Sequence, residues 1–200
     1  TSGHSMSIES TDGLHGRESE LGQLEAALAD GAAILTGMPG IGKTALLQAL
    51  PSTRYVTLDA SMDAQMLVAS WLEIDDAPID QQAQLELLSA VNEVLVADEV
   101  QDVHPRHQDG VHALLEGLIE SKTHVAIGMR APCPFDNAIT LSGIDAEAGQ
   151  KLLGAKVDSK TASDVCEALD GHPLALHLWT PSDDLPEAGD AVQAFVEETV

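Results

Sequence analysis

A glycine-rich segment, GMPGIGKT at residues 37–44, constrains the fold of this chain more than any other feature. A short apolar run, AAILTG, leads into it, and KTALLQAL, with the apolar spacing of a helix, follows. A buried strand that passes through a glycine loop into a helix is a typical opening unit of a parallel α/β sheet. In this setting, the match to the pattern G-x-x-x-x-G-K-[ST] predicts a phosphate-binding loop.

The rest of the chain continues the alternation of strands and helices. The runs YVTLDA, EVLVADE, THVAIGMR and AITLSG indicate strands, and helical patterns separate most of them. This alternation predicts an α/β fold of the P-loop NTPase type, a parallel five-stranded sheet flanked by helices. Only helical patterns follow residue 143, namely DAEAGQKLLGA, KTASDVCEALD and PLALHLW, and they predict a small C-terminal helical lid.

These patterns divide the chain into four segments. Residues 1–13 are polar and are expected to be a disordered N-terminus or an expression remnant, and residues 14–142 the P-loop NTPase core. Residues 143–180 are expected to form the lid, and residues 181–200 a linker and a C-terminal helix, AVQAFVEETV. Within the core, the HPRH segment at residues 104–107 is expected to be a loop that caps the next helix.

Each residue type in the glycine loop has a physical role. Glycines let the backbone wrap so that successive N–H groups face the phosphates, and the helix that follows adds a partial positive charge. Lys43 is expected to reach the β- and γ-phosphates, and the Thr44 hydroxyl to bind Mg²⁺. The nucleotide-binding residues predicted here are Pro39, Gly40, Ile41, Gly42, Lys43, Thr44 and Ala45. The flanking strand and helix disfavour the alternative of a glycine turn with a chance lysine.

Two acids close the third predicted strand, and an arginine closes the fourth. Asp98, after four apolar residues, is predicted to hold Mg²⁺, and Glu99 to orient or deprotonate a water that attacks the γ-phosphate. Arg130 ends the next strand, and strand ends of a parallel sheet converge on the ligand crevice, so it is a candidate γ-phosphate sensor. The alternatives, solvated acids and a surface arginine paired with acids, stay open in so acidic a chain.

The chain carries 33 Asp and Glu residues against 9 Lys and Arg, which gives a formal net charge of −24. We interpret this as the surface of a protein from a salt-loving microbe, because a Debye length of about 3 Å in molar salt screens the self-repulsion. An ordinary acidic domain with a basic partner is the alternative. Either interpretation disfavours direct nucleic-acid binding by this domain.

Cellular location follows from two further features of the sequence. No apolar run has the length of a membrane span, so no membrane partner is expected. Cys133 and Cys166 are too few for a disulfide framework or a zinc site of their own, which favours a reduced cytoplasm, while a single disulfide stays open as the alternative. His104, His107 and His112 lack the regular spacing and cysteine partners of a zinc site.

Five motifs, in order and spacing, resemble those of the STAND class of signal-transduction ATPases, of the NB-ARC and archaeal ATPase kind related to AAA+ proteins. They are LHGRESEL, GMPGIGKTALL, VLVADEVQDV, GMR and LDGHPLALHL. The resemblance implies that Gly16 and Arg17 lie near the base, that Arg130 is the first sensor arginine, and that Pro173 packs beside the adenine. With the acidic composition, it suggests a halophilic archaeon as the source.

The resemblance also implies a molecular switch. ADP would hold the lid closed, and exchange for ATP would open a surface for self-assembly and for an unknown protein effector. Slow hydrolysis would reset the switch. In the family a winged helix and a sensor array follow the lid, so this chain is expected to be a fragment or a minimal protein. The family's winged-helix histidine has no counterpart here, since His172 lies within the lid motif.

Two other functions stay open on the sequence alone. An AAA+ replication or repair ATPase would act with DNA and usually carries a further arginine in its lid, whereas no arginine follows Arg130. A small-molecule P-loop kinase typically closes an arginine-bearing lid over the phosphates, and the Asp-Glu pair suits water as the nucleophile instead.

Overall fold

The structure of the protein, a computed structural model, describes residue 14 and residues 16–154, 157–182, 185, 192, 194 and 196. The chain divides into two compact units. The sheet unit is Ser19–Ser142, and the helical unit combines the described residues up to Glu18 with those from Gly143 onward. Residues 14 and 16–18, which the sequence analysis assigned to the core, thus group with the helical unit.

Five strands form one parallel sheet in the sheet unit. They are β1 Ala32–Thr36, β2 Thr53–Thr57, β3 Val94–Asp98, β4 Val125–Met129 and β5 Ile139–Thr140. Their order across the sheet is β2-β3-β4-β1-β5, and every neighbouring pair is parallel. This confirms the predicted α/β fold with a five-stranded parallel sheet. Because β3, β4 and β1 are neighbours, the segments that follow their carboxyl ends meet at one end of the sheet.

Helices flank the sheet and connect its strands. They are α1 Glu18–Ala29, α2 Lys43–Gln48, α3 Ala64–Leu72, α4 Gln81–Ser89 and α5 Pro105–Glu120, with a 3₁₀ turn at Val100–Asp102. The Asp63 and Asp80 carboxylates cap α3 and α4, because each accepts a hydrogen bond from a main-chain N–H of the first turn. The longest described helix, α5, has 16 residues, and no helix in the described ranges is long and apolar enough to cross a bilayer.

The start of α5 differs from the sequence expectation. The His104 side chain accepts a hydrogen bond from the Arg106 N–H and caps the helix, as expected, but Arg106 and His107 are helical rather than part of a loop. Pro105 takes the first helical position, where its fixed φ suits the helix and its missing N–H costs nothing. A proline after a polar residue therefore marked the start of this helix and not an extension of the loop.

The core of the sheet unit consists mainly of aliphatic side chains. All five residues of β4 are buried, as expected for a strand covered on both faces. Trp71 is the largest side chain in this core; it is 1% exposed, and its indole N–H donates to the Val96 carbonyl at 3.0 Å. Because these strands are buried, they hold in place the strand ends after which the site residues follow.

Over the described residues from 143 to 182, the helical unit contains three short helices, α6 Ala146–Leu153, α7 Ser159–Ala168 and α8 Pro173–Leu178. Asp145, Asp158 and His172 cap them in turn. Their apolar faces pack together around Cys166 and Trp179, which are 4% and 5% exposed, so both residues lie in this core. The segment expected at residues 1–13 and most of residues 181–200 lie outside the described residues.

Candidate functional site

The glycine loop leaves the sheet at the end of β1 and enters α2 at Lys43. Its glycines adopt backbone conformations that side chains rarely tolerate, with φ of 72° at Gly40 and 106° at Gly42. Gly42 occupies the cap position of α2 and has no side chain to cap it, so the loop can turn sharply into the helix. The predicted strand–loop–helix unit is present, and it includes Pro39, Gly40 and Ile41 in the loop and Ala45 in α2.

Lys43 lies beneath this loop and is 5% exposed. Its ammonium donates hydrogen bonds to the carbonyl oxygens of Gly37 at 3.0 Å and Met38 at 2.8 Å. Burial lowers the pKa of Lys43, while the nearby carboxylates of Glu99 and Asp98 act in the opposite direction. An ammonium has three donors, so one remains for an anion in the loop.

Asp98, the last residue of β3, is 1% exposed, and its carboxylate accepts three hydrogen bonds from protein groups. Its Oδ2 accepts hydrogen bonds from the Thr44 hydroxyl at 2.7 Å and from the Tyr55 hydroxyl at 2.6 Å. Its Oδ1 accepts one from the Glu99 N–H at 2.9 Å. These donors offset the cost of burying the charge. Thr44 and Asp98, predicted as magnesium ligands, thus lie in direct contact.

Gly128 makes room for the Asp98 carboxylate. A Cβ placed at Gly128, the fourth of the five residues of β4, would lie 2.5 Å from Asp98 Oδ1 and 2.6 Å from Leu47 Cδ1. Any larger residue would displace the Asp98 carboxylate and the side chain of Leu47 in α2. The sequence alone does not mark Gly128 as a site residue, because its role depends on the lateral order of β3 and β4.

The sequence alone does not mark Tyr55 either, because its segment YVTLDA predicts only a strand. It lies on β2 opposite Val96, and its ring extends along the sheet far enough for the hydroxyl to reach Asp98. Burial, and then the hydrogen bond to Asp98, raise the pKa of this phenol well above its usual range. A tyrosine on β2 indicates a partner for Asp98 only when the register of β2 on β3 is known.

Tyr55→Phe should lower the free energy of unfolding by about 1–2 kcal/mol, because it removes a hydrogen bond to a buried carboxylate and keeps the ring. Urea unfolding in molar KCl, without nucleotide, measures the change. Thr57→Val is the matched control, since it removes an exposed hydroxyl from the same strand and should be nearly neutral. Equal stability of the Tyr55→Phe variant and the wild type would show that the Tyr55 hydroxyl contributes nothing to holding Asp98.

Glu99 and Arg130 lie at the ends of the neighbouring strands β3 and β4. Glu99 has a φ of 56°, in the left-handed region that non-glycine residues seldom adopt. Its carboxylate accepts a hydrogen bond from the side-chain amide of Gln101. The main-chain N–H of Arg130 donates to the other end of the same amide at 2.8 Å, and the Arg130 residue is exposed. Gln101, which the sequence analysis did not select, therefore links the two predicted catalytic residues.

The remaining predicted residues belong to the helical unit. Gly16 has a φ of 72° and lies against Ala148 of α6. Arg17 is 3% exposed, and its N–H donates to the Leu14 carbonyl at 3.1 Å. Pro173 is the first residue of α8.

The oxygen atoms of Thr44 and Asp98 determine which ligands suit the site. Mg²⁺ prefers oxygen ligands and in nucleotide sites uses one or two carboxylates together with phosphate oxygens and water. The described residues include no group of three or more His, Cys, Asp or Glu side chains that could hold a metal ion by themselves. The Thr44 hydroxyl and Asp98 carboxylate therefore fit a magnesium ion that arrives with phosphate, rather than one held by protein alone.

Solved structures with the same fold differ widely from this chain in sequence. A signal transduction ATPase with numerous domains (STAND) from Pyrococcus horikoshii, with a tetratricopeptide repeat sensor, matches with a TM-score of 0.69 at 19% identity. The match covers 92% of this chain and 32% of that one. Drosophila ORC bound to DNA matches with a TM-score of 0.54 at 18% identity, over 96% of this chain and 63% of that one.

Comparison by sequence adds no relative: no protein-family model matches the chain, and no curated protein does. This chain corresponds to only part of each of the two structural neighbours. At such identities the likeness establishes the fold, which is the fold of the matched part of a STAND protein and of ORC.

Proposed function

We propose that this chain is the nucleotide-binding part of a molecular switch that binds ATP with Mg²⁺ and hydrolyses it slowly. One observation carries the proposal: the Thr44 hydroxyl of the glycine loop lies 2.7 Å from the Asp98 carboxylate of β3. These residues are distant in sequence, and the fold joins them where the loop opens. A glycine turn without a phosphate ligand has no need of this contact.

In this proposal the glycine loop and Lys43 bind the phosphates. The main-chain N–H groups of the loop donate to phosphate oxygens, and Lys43 adds a positive charge at the β- and γ-positions. Thr44 and Asp98 hold the magnesium ion, directly or through water. The ion, when bound, neutralises phosphate charge and orients the terminal phosphate.

Glu99 and Arg130 act at the terminal phosphate. Glu99 orients a water molecule and accepts its proton, which is the work of a general base. Arg130 contacts the γ-phosphate and so distinguishes ATP from ADP. On the side of the base, Gly16, Arg17 and Pro173 are proposed as contacts of the adenine, on the strength of their motifs alone.

The acidity of the chain does not oppose nucleotide binding of this kind. Main-chain donors, one lysine and one metal ion act at short range, where they need no basic surface. In molar salt the remaining long-range repulsion is screened within about 3 Å. A halophilic source and a cytoplasmic location fit this condition and belong to the proposal.

A switch requires that ATP and ADP favour different arrangements of the chain. Moving an equilibrium from 1:99 to 99:1 requires a difference of about 5.5 kcal/mol in binding free energy between the two arrangements. We propose that the ATP-bound form self-associates or recruits a protein effector. Static light scattering of the protein with ATP and with ADP measures whether the ATP-bound form self-associates.

Thermal unfolding with ATP, ADP and AMP, each with Mg²⁺ in molar KCl, tests the proposal. ATP and ADP should raise the melting temperature, whereas AMP should raise it little, because it lacks the β-phosphate that the loop and Lys43 bind. Phosphate release from ATP should be slow but measurable. If millimolar ATP and ADP both leave the melting temperature unchanged, the chain is not a nucleotide-binding protein of this kind.

The fold of ORC favours one second candidate, an AAA+ ATPase that acts with DNA. In that case double-stranded DNA should increase the rate of phosphate release. The switch proposal expects DNA to have no effect, since the acidic chain repels the DNA backbone.

A further inference from the structure

The side chain of Gln101 lies between the two residues proposed to act at the terminal phosphate. Gln101 is the middle residue of the 3₁₀ turn that follows β3, and it is half-buried. Through its amide, it contacts both Glu99 on its own turn and Arg130 at the end of β4. Among the described residues, no hydrogen bond joins Glu99 and Arg130 directly.

The partners of Gln101 fix the orientation of its amide. The N–H of Arg130 can only donate, so the oxygen Oε1 of Gln101 must face it, at 2.8 Å. The nitrogen Nε2 then faces two carboxylates, and it donates to Glu99 Oε2 and, at 3.2 Å, to Asp102 Oδ1. All three contacts agree on one orientation of the amide. If its oxygen and nitrogen were exchanged, none of these hydrogen bonds could form.

Only an amide satisfies both partners. A glutamate has an acceptor for Arg130 but no donor for Glu99, and an aliphatic side chain offers neither. The bond from Gln101 occupies one oxygen of the Glu99 carboxylate and leaves Oε1 for a water molecule. The bond to the Arg130 N–H fixes the main-chain position from which the exposed guanidinium extends.

We infer that Gln101 is a positioning residue that links the Glu99 carboxylate to the main chain of Arg130. This link keeps the Glu99 carboxylate, which orients the water, at a fixed position relative to Arg130, the γ-phosphate sensor. This inference rests on the proposed function, and it adds a residue that couples hydrolysis to recognition of the terminal phosphate. Loss of the link should therefore affect turnover and the preference for ATP over ADP, but not the binding of ADP itself.

Two variants separate the two ends of the amide. Gln101→Leu removes both hydrogen bonds and should lower turnover about tenfold, within the range for lost outer-sphere partners. It should also reduce the ratio of the ADP to the ATP dissociation constant by at least about fivefold, which is a measurable coupling. Gln101→Glu loses the donor to Glu99 and keeps an acceptor for the Arg130 N–H. It should therefore lower turnover and leave the ratio of the two dissociation constants near the wild-type value.

Displacement of a fluorescent nucleotide by ATP or ADP measures both dissociation constants without reference to activity, and phosphate release measures turnover. Gln108→Leu is the matched control, because Gln108 is exposed on α5, and it should leave both quantities unchanged. Thermal unfolding without nucleotide establishes that each variant is folded. If Gln101→Leu does not fold, the turnover and ratio predicted for Gln101→Glu still decide the inference.

A double-mutant cycle tests whether Gln101 acts through Glu99. Gln101→Leu should have no further effect on turnover in a Glu99→Gln background, since coupled residues are not additive. One outcome would overturn this inference and leave the proposed function standing. In that outcome the wild-type protein binds ATP, and the Gln101→Leu variant has the same turnover and the same preference for ATP as the wild type. A wild-type protein that binds neither ATP nor ADP would instead overturn the proposed function.

Discussion

Lys43→Ala should abolish the stabilisation that ATP and ADP give to the wild-type protein. Lys43 supplies the one charged side-chain donor in the glycine loop, and its ammonium is already held there by the Gly37 and Met38 carbonyls. At a ligand concentration about a hundredfold above Kd, the stabilisation to be lost is about 2.7 kcal/mol. Thermal unfolding with and without magnesium nucleotide in molar KCl measures it.

The same substitution also changes the protein without nucleotide, so each variant is compared with its own nucleotide-free melting temperature. Lys160→Ala is the control, because it removes one positive charge from an exposed position on α7. It should keep the full nucleotide-dependent rise. A Lys43→Ala variant that ATP still stabilises as it does the wild type would exclude Lys43 from phosphate binding.

Local patterns in the sequence were enough to predict the elements that carry the site. The run before Gly37, the glycines and the helix after Lys43 are neighbours in the chain, and each has a local physical cause. The five strands follow from the alternation of apolar runs with helical stretches, and the sheet confirms them. Even so, β5 has only two residues, because pairing with β1, not its own composition, sets its length.

Contacts across the sheet could not be predicted from one sequence. Tyr55 and Gly128 matter because β2 and β4 lie on either side of β3, and nothing local to either residue reveals that order. The register then decides which atoms meet, since Tyr55 pairs with Val96 and still reaches Asp98. Gln101 depends in the same way on the closeness of the β3 and β4 ends.

Capping residues show an intermediate case. Asp63, Asp80, Asp145 and Asp158 are typical cap residues, and each lies directly before the first residue of a helix. His104 also caps a helix, although the HPRH pattern predicts a loop at this place. The sequence pattern thus indicates the cap but not the helical state of the two residues after Pro105.

Glu99→Gln should retain nucleotide binding and lower turnover by about 10²–10⁴-fold, the range for loss of a general base. The substitution keeps the size of the side chain, and its amide oxygen can still accept the hydrogen bond from Gln101. What it loses is the negative charge and the ability to accept a proton from water. Phosphate release under saturating ATP measures the loss, and the dissociation constants of ATP and ADP show that the site is intact.

Glu120→Gln provides the control for charge, since it neutralises an exposed acid at the end of α5, away from the strand ends. It should leave turnover unchanged. Equal turnover in the Glu99→Gln variant and the wild type would remove Glu99 from the mechanism and leave Asp98 as the one acid of the pair with a role. The left-handed backbone conformation at Glu99 costs energy in a non-glycine residue. Our proposal explains this cost by a role of Glu99 in hydrolysis, and that explanation would then be lost.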